Sequence, residues 1–95
     1  MCLIILIMTT LYDYRVKIDL IDQMIVELLS ERMDIVSKIG DYKKEKKLPP
    51  QDSKRWNRLI NNIRSQALEM NLSPDLVEDI WDLIHKESLR IEEGS

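Results

Sequence analysis

From Leu11 to about Lys46 the chain contains no proline and a single glycine, Gly40, and its apolar residues recur at spacings of three and four. That pattern specifies one amphipathic helix. Its length constrains everything else. About 35 residues at roughly 1.5 Å each make a rod of some 50 Å, whereas a folded domain of this size has a radius of gyration of about 13 Å. The rest of the 95 residues leaves room for two shorter helices, too little to cover such a stripe. A partner chain is expected to cover it, most simply in a two-fold dimer whose long helices pack on each other.

Local signals set the other boundaries. Leu48-Pro49-Pro50 stops the first helix, because proline removes a backbone donor and clashes with the preceding turn. Asp52 offers an N-cap for a second helix, whose Trp56, Leu59, Ile60, Ile63, Ala67 and Met70 share one face before Asn71-Leu72 ends it. Ser73-Pro74 starts a third, with a capping serine, proline at the first helical position and Asp75 in the first turn. This helix runs to about Glu92 and turns Val77, Trp81, Ile84, Ser88 and Ile91 inward. With no Phe and little β-branched alternation, the expected fold is all-α: three helices per chain, one long and two shorter.

Composition removes several classes of function. One cysteine, Cys2, cannot form an internal disulfide, and with one histidine, His85, it makes a poor ligand set, so neither metal nor structural zinc is expected. A net charge of −3 disfavours nucleic acid. Residues 1–10, MCLIILIMTT, are too short an apolar run to span a bilayer, and no basic residues precede them and no small-residue cleavage pattern follows. They read as an N-terminal extension to a single domain over 11–95, in a cytoplasmic protein.

Within the long stripe of Ile18, Ile21, Ile25, Leu28, Arg32, Ile35, Ile39 and Tyr42, one member is cationic. Arg32 cannot be deprotonated to lower the cost of burial, so it either reaches out to solvent or meets an anion. Lys43, eleven residues on, is about 20° away around the helix and three turns along it. The two cations therefore begin a site for a small acidic molecule. Arg15 lies about 25 Å before Arg32 and roughly 100° off its face, so any anion site it joins would be a neighbour's, unless it is merely solvated. Asp19 and Asp22 read as solvated, and lone His85 as a surface or boundary residue.

Arg15-x-x-Ile-Asp-x-x-Asp22, Leu29-x-Glu-Arg32, Ile39-Gly40-x-x-Lys43, Pro50-x-Asp52-x-x-Arg55, and Ser88 with Glu92 together resemble the all-helical class of chorismate mutases. The likeness extends over residues 11 to 92. It implies an intertwined homodimer of three-helix subunits that converts chorismate to prephenate, with two equivalent sites and no cofactor. It also implies roles. Arg32 and the partner's Arg15 would each clamp a carboxylate, and Lys43 would donate to the ether oxygen and a nearby carboxylate. Asp52 would accept from the ring hydroxyl, Arg55 would support the pocket, and Ser88 would help bind a carboxylate. Glu92 stands where the family carries Gln or Glu, with the task of donating to the same ether oxygen. A glutamate donates only when protonated.

Two features leave other readings open. The residue after Arg55 is usually a glutamate that contacts the ring hydroxyl in this family, and here it is Trp56. Its spacing with Leu59, Ile60 and Ile63 favours a core role, which leaves the substrate open among chorismate, isochorismate and a 4-amino analogue. Several site residues also have bland alternatives: Asp52 as a cap, Arg55 in a surface ion pair, Ser88 bonded back to a helix carbonyl, and Lys43 as one of a solvated lysine run. The alternatives to a mutase are therefore an isochorismate pyruvate lyase or a 4-amino-4-deoxychorismate mutase on the same fold, or a non-catalytic helical dimerisation module.

Overall fold

The computed structural model describes residues 2–94, and the side chains of all of these except residues 2 and 4–8. Three helices make up the fold: α1 (Cys2–Glu45), α2 (Ser53–Glu69) and α3 (Pro74–Gly94), with no strand among the described residues. They divide into two compact units, Met1–Arg32 and Met33–Ser95. The first helix begins earlier than the periodicity from Leu11 indicates. Leu, Ile and Met are helix-compatible, and nothing between Cys2 and Leu11 supplies a stop.

The first unit consists of helix α1 alone. Its stripe residues Ile18, Ile21, Ile25 and Leu28 are each at least half exposed. In the second unit Ile35 and Tyr42 are similarly exposed. Within one chain the stripe is thus left uncovered. The face of α1 that packs within the second unit is instead offset, carrying Val36, Gly40 and Lys43.

Both α1 and α2 end in the same way. Leu48 N–H donates to Lys43 O at 2.7 Å and Lys47 N–H to Lys44 O at 3.2 Å, with Lys47 in the left-handed region at φ 57°. At the end of α2, Leu72 N–H donates to Ala67 O at 2.8 Å and Asn71 N–H to Leu68 O at 3.3 Å, with Asn71 at φ 59°. These paired six-to-one and five-to-two bonds are Schellman motifs, which satisfy carbonyls that a helix end would leave orphaned. Asparagine tolerates that conformation; lysine adopts it at a cost. The early stop of α2 also explains Met70, expected on the buried face but found exposed, since it is the C-cap beyond the last turn.

The predicted starts are where the capping chemistry put them. Asp52 Oδ1 accepts from Arg55 N–H at 3.0 Å, and Ser73 Oγ accepts from Leu76 N–H at 3.2 Å. Helices α2 and α3 pack on each other and run antiparallel: Trp56 near the start of α2 meets His85, while Arg64 further along meets Asp75 at 3.0 Å. Ala67 and Ile84 are the buried apolar residues of this pair. The α1 segment of this unit runs in the same direction as α3, with Met33 against Ser88 and Gly40 against Glu92. A Cβ on Gly40 would lie 2.9 Å from Glu92 Cα, so glycine is what allows the two backbones to approach so closely.

Candidate active site

The crossing of α1 and α3 brings the sequence-predicted Lys43 and Glu92 together. Lys43 Nζ lies 2.7 Å from Glu92 Oε1, and Glu92 is buried. The ammonium directs a hydrogen bond to Pro50 O, also at 2.7 Å. Oε1 itself is buried and receives no hydrogen bond in favourable geometry, so its contact with Lys43 is electrostatic. The two charges compensate each other, and removing either partner would leave the other unpaired. The Schellman turn explains the loop contact: by folding the chain back after Lys43, it presents Pro50 O to that residue's own side chain. Lys43 is therefore held between a loop carbonyl and α3, and is not one of a solvated run.

One turn before Glu92, Ser88 is also buried. Its hydroxyl donates to Ile84 O at 2.8 Å, the back-bond expected as its bland alternative, and Met33 Sδ lies 3.8 Å away. A ligand acceptor could take its proton only after the hydroxyl rotates away from Ile84. Asp52 follows Pro50 by two residues, and its carboxylate caps α2. Arg55 is exposed, and its guanidinium makes no ion pair among the described residues, so the surface pairing considered for it is not formed. In the first unit, Arg15 is exposed and Arg32 half-buried. Lys43, Ser88 and Glu92 thus share one side of the second unit, with Asp52 at the start of α2.

The periodicity missed what Trp56 does. It is half-buried, but it is more than a core residue: its ring stacks on His85 at a centroid distance of 4.1 Å and an angle of 20°. The two line a recess together with Gln51, Asp52 and Ser53. No sequence signal links positions 56 and 85, which meet only because α2 and α3 are antiparallel. No group of His, Cys, Asp and Glu able to hold a metal occurs among the described residues, and no described helix is long and apolar enough to cross a membrane.

A buried carboxyl, an ammonium beside it and a hydroxyl on the same helix gather hydrogen-bonding groups of both kinds at one crossing. Among known families, chorismate mutase type II matches residues 14–93, and the chain belongs to that family. Among curated relatives, it is similar to the T-protein of Haemophilus influenzae, 31% identical over 81 residues, which is 85% of this chain and 22% of that protein. The T-protein of Enterobacter agglomerans is 30% identical over 74 residues, 78% of this chain and 20% of that protein. The 4-amino-4-deoxychorismate mutase of Streptomyces pristinaespiralis is 25% identical over 79 residues, 83% of this chain and 61% of that protein. The chain thus spans about a fifth of the length of the two T-proteins.

Proposed function

We propose that the protein is a chorismate mutase, an isomerase that converts chorismate to prephenate for aromatic amino acid synthesis, and that it acts in the cytoplasm as an intertwined homodimer. The observation that carries this reading is the Lys43–Glu92 pair, which sets an ammonium 2.7 Å from a buried carboxyl at the crossing of α1 and α3. Chorismate rearranges by a concerted pericyclic shift. The protein need only hold the dicarboxylate in its folded conformer and stabilise the charge that develops as the ether bond breaks. Lys43 donates to the ether oxygen, and Glu92 is the second group placed to do so. Arg32 and the partner's Arg15 each clamp a carboxylate, for which a planar guanidinium is well shaped. Ser88 turns from Ile84 O to a substrate carboxylate, Asp52 accepts from the ring hydroxyl, and Arg55 supports the rim. No cofactor has a part in these steps.

The dimer is supported by the exposed stripe on α1 and by the position of Arg15 on that helix. The start of the family match at residue 14 supports reading residues 1–10 as an extension to a single catalytic domain over 11–95. A second reading, rearrangement of 4-amino-4-deoxychorismate, is favoured by a relative of that name and by the Asp52 carboxylate at the recess, which suits an ammonium.

The test is loss of chorismate absorbance with product identification, on wild type and Arg32→Ala in parallel, with helical content checked by circular dichroism. Prephenate made by wild type and lost in a still-helical variant is the expected result. Turnover of only the 4-amino compound selects the second reading, and turnover of neither refutes both. For the shared site, mixing Arg15→Ala chains with Arg32→Ala chains restores up to about a quarter of wild-type activity. Half of the random dimers then carry one intact site, as two-fold exchange requires. Failure of mixed chains to recover activity would rule out the contribution of Arg15 across the dimer.

A further inference from the structure

The stacked rings of Trp56 and His85 form one wall of the recess, and the other lining residues, Gln51, Asp52 and Ser53, are polar. An imidazole lying face to face with an indole at 4.1 Å is held against tilting, while its two nitrogens remain on the ring edge. Among the described residues, neither nitrogen has a hydrogen-bond partner. In the neutral ring one nitrogen donates and the other accepts. Asp52 spends Oδ1 on the Arg55 N–H and has a second oxygen to offer. An apolar plate with a few convergent polar groups is the usual make-up of a small-molecule recess.

The charge of these groups selects what they can hold. The Asp52 carboxylate disfavours a second carboxylate beside it, so the recess suits a group that gives a proton to Asp52 and accepts one from an imidazole. A hydroxyl does both. We propose that His85 is a specificity-determining residue that donates a hydrogen bond to the ring hydroxyl of the substrate, and that Trp56 is its positioning residue, holding the imidazole by stacking. This rests on the reading of the protein as a chorismate mutase. It gives the ring hydroxyl a second partner besides Asp52, supplied by α3, in a chain whose residue 56 is an indole.

The experiment compares kcat/KM for chorismate with that for an analogue lacking the ring hydroxyl, in wild type, His85→Ala, His85→Gln, Trp56→Ala and Trp56→Phe. Circular dichroism confirms that each is folded. His85→Ala is expected to lower the ratio of the two values roughly tenfold, about the worth of one hydrogen bond. His85→Gln, which can still donate, recovers part of it. Trp56→Ala lowers the ratio similarly, whereas Trp56→Phe, which keeps a stacking face, preserves it. Parallel losses on both substrates, with the ratio unchanged, would overturn the proposal and leave the stack as packing alone. A wild-type protein that turns over neither compound would instead bring down the mutase reading, and the role of His85 with it.

Discussion

Replacing Gly40 by alanine sets a gain in local helix stability against a loss in packing, and the structure says which is larger. In a helix interior, alanine is favoured over glycine by about 1 kcal/mol. At Gly40 the added Cβ would stand 2.9 Å from Glu92 Cα and 3.4 Å from Glu92 Cβ and Cγ. Carbon atoms are comfortable at about 3.5–4.0 Å, so α3 must move by roughly 0.6 Å or more. The nearest atom is backbone and cannot rotate aside. Overpacking of this kind costs about 1–3 kcal/mol, leaving a net destabilisation of about 1 kcal/mol, or a fall in Tm of some 4–8 °C for a domain of this size. The displaced residue is Glu92 itself, so the 2.7 Å approach to Lys43 is disturbed as well. Turnover should therefore fall, by up to about a hundredfold if the misplacement reaches 1 Å. Denaturant unfolding followed by circular dichroism at fixed protein concentration, alongside prephenate formation, measures both effects. A variant more stable than wild type by about 1 kcal/mol, with unchanged turnover, would mean that α1 and α3 have room to spare at this crossing.

Three further outcomes are expected. Lys47→Gly relieves the left-handed conformation at the end of α1 and should raise stability by about 1 kcal/mol in the same unfolding assay; a loss would mean that the lysine side chain has a stabilising role. Asp52→Ala should cost about 1 kcal/mol through the lost cap, whereas Asp52→Asn keeps the cap and should be nearly neutral in stability while raising KM for chorismate. An unchanged KM in both would remove Asp52 from the substrate site. Glu92→Gln, whose amide is a donor, should keep turnover, whereas Glu92→Ala, which removes the group, should lower it by about tenfold or more. Equal turnover in the two variants would remove Glu92 as the donor.

The ends of the helices were legible because capping is local chemistry. Asp52 and Ser73-Pro74 act on N–H groups two or three residues away, and Pro49-Pro50 blocks continuation whatever surrounds it. The start of α1 was not legible, since residues 2–10 contain apolar residues but no stop. Periodicity found the stripe from Ile18 to Tyr42 but could not say what covers it. Within the chain, α1 instead meets α3 through Gly40 and Lys43, residues that hydrophobic patterning passes over. Lys43 stands out by its spacing from Arg32 and Glu92 through the family likeness, and their contact follows from two helices crossing at a glycine. The stack of His85 on Trp56 left no trace in the sequence, because it depends on the pairing of two helices and not on spacing within either.

Only three apolar side chains, Val36, Ala67 and Ile84, are buried among the described residues, and no large side chain is wholly sealed from solvent. So little apolar burial cannot offset the entropy lost in ordering a whole chain. In the proposed dimer, the missing burial comes from the second copy, and folding and association become one equilibrium governed by mass action. Dilution would then act as a denaturant. Specific activity would fall below a threshold concentration and return on reconcentration, and a cell that makes too little of the protein would hold unfolded chains, not idle folded monomers.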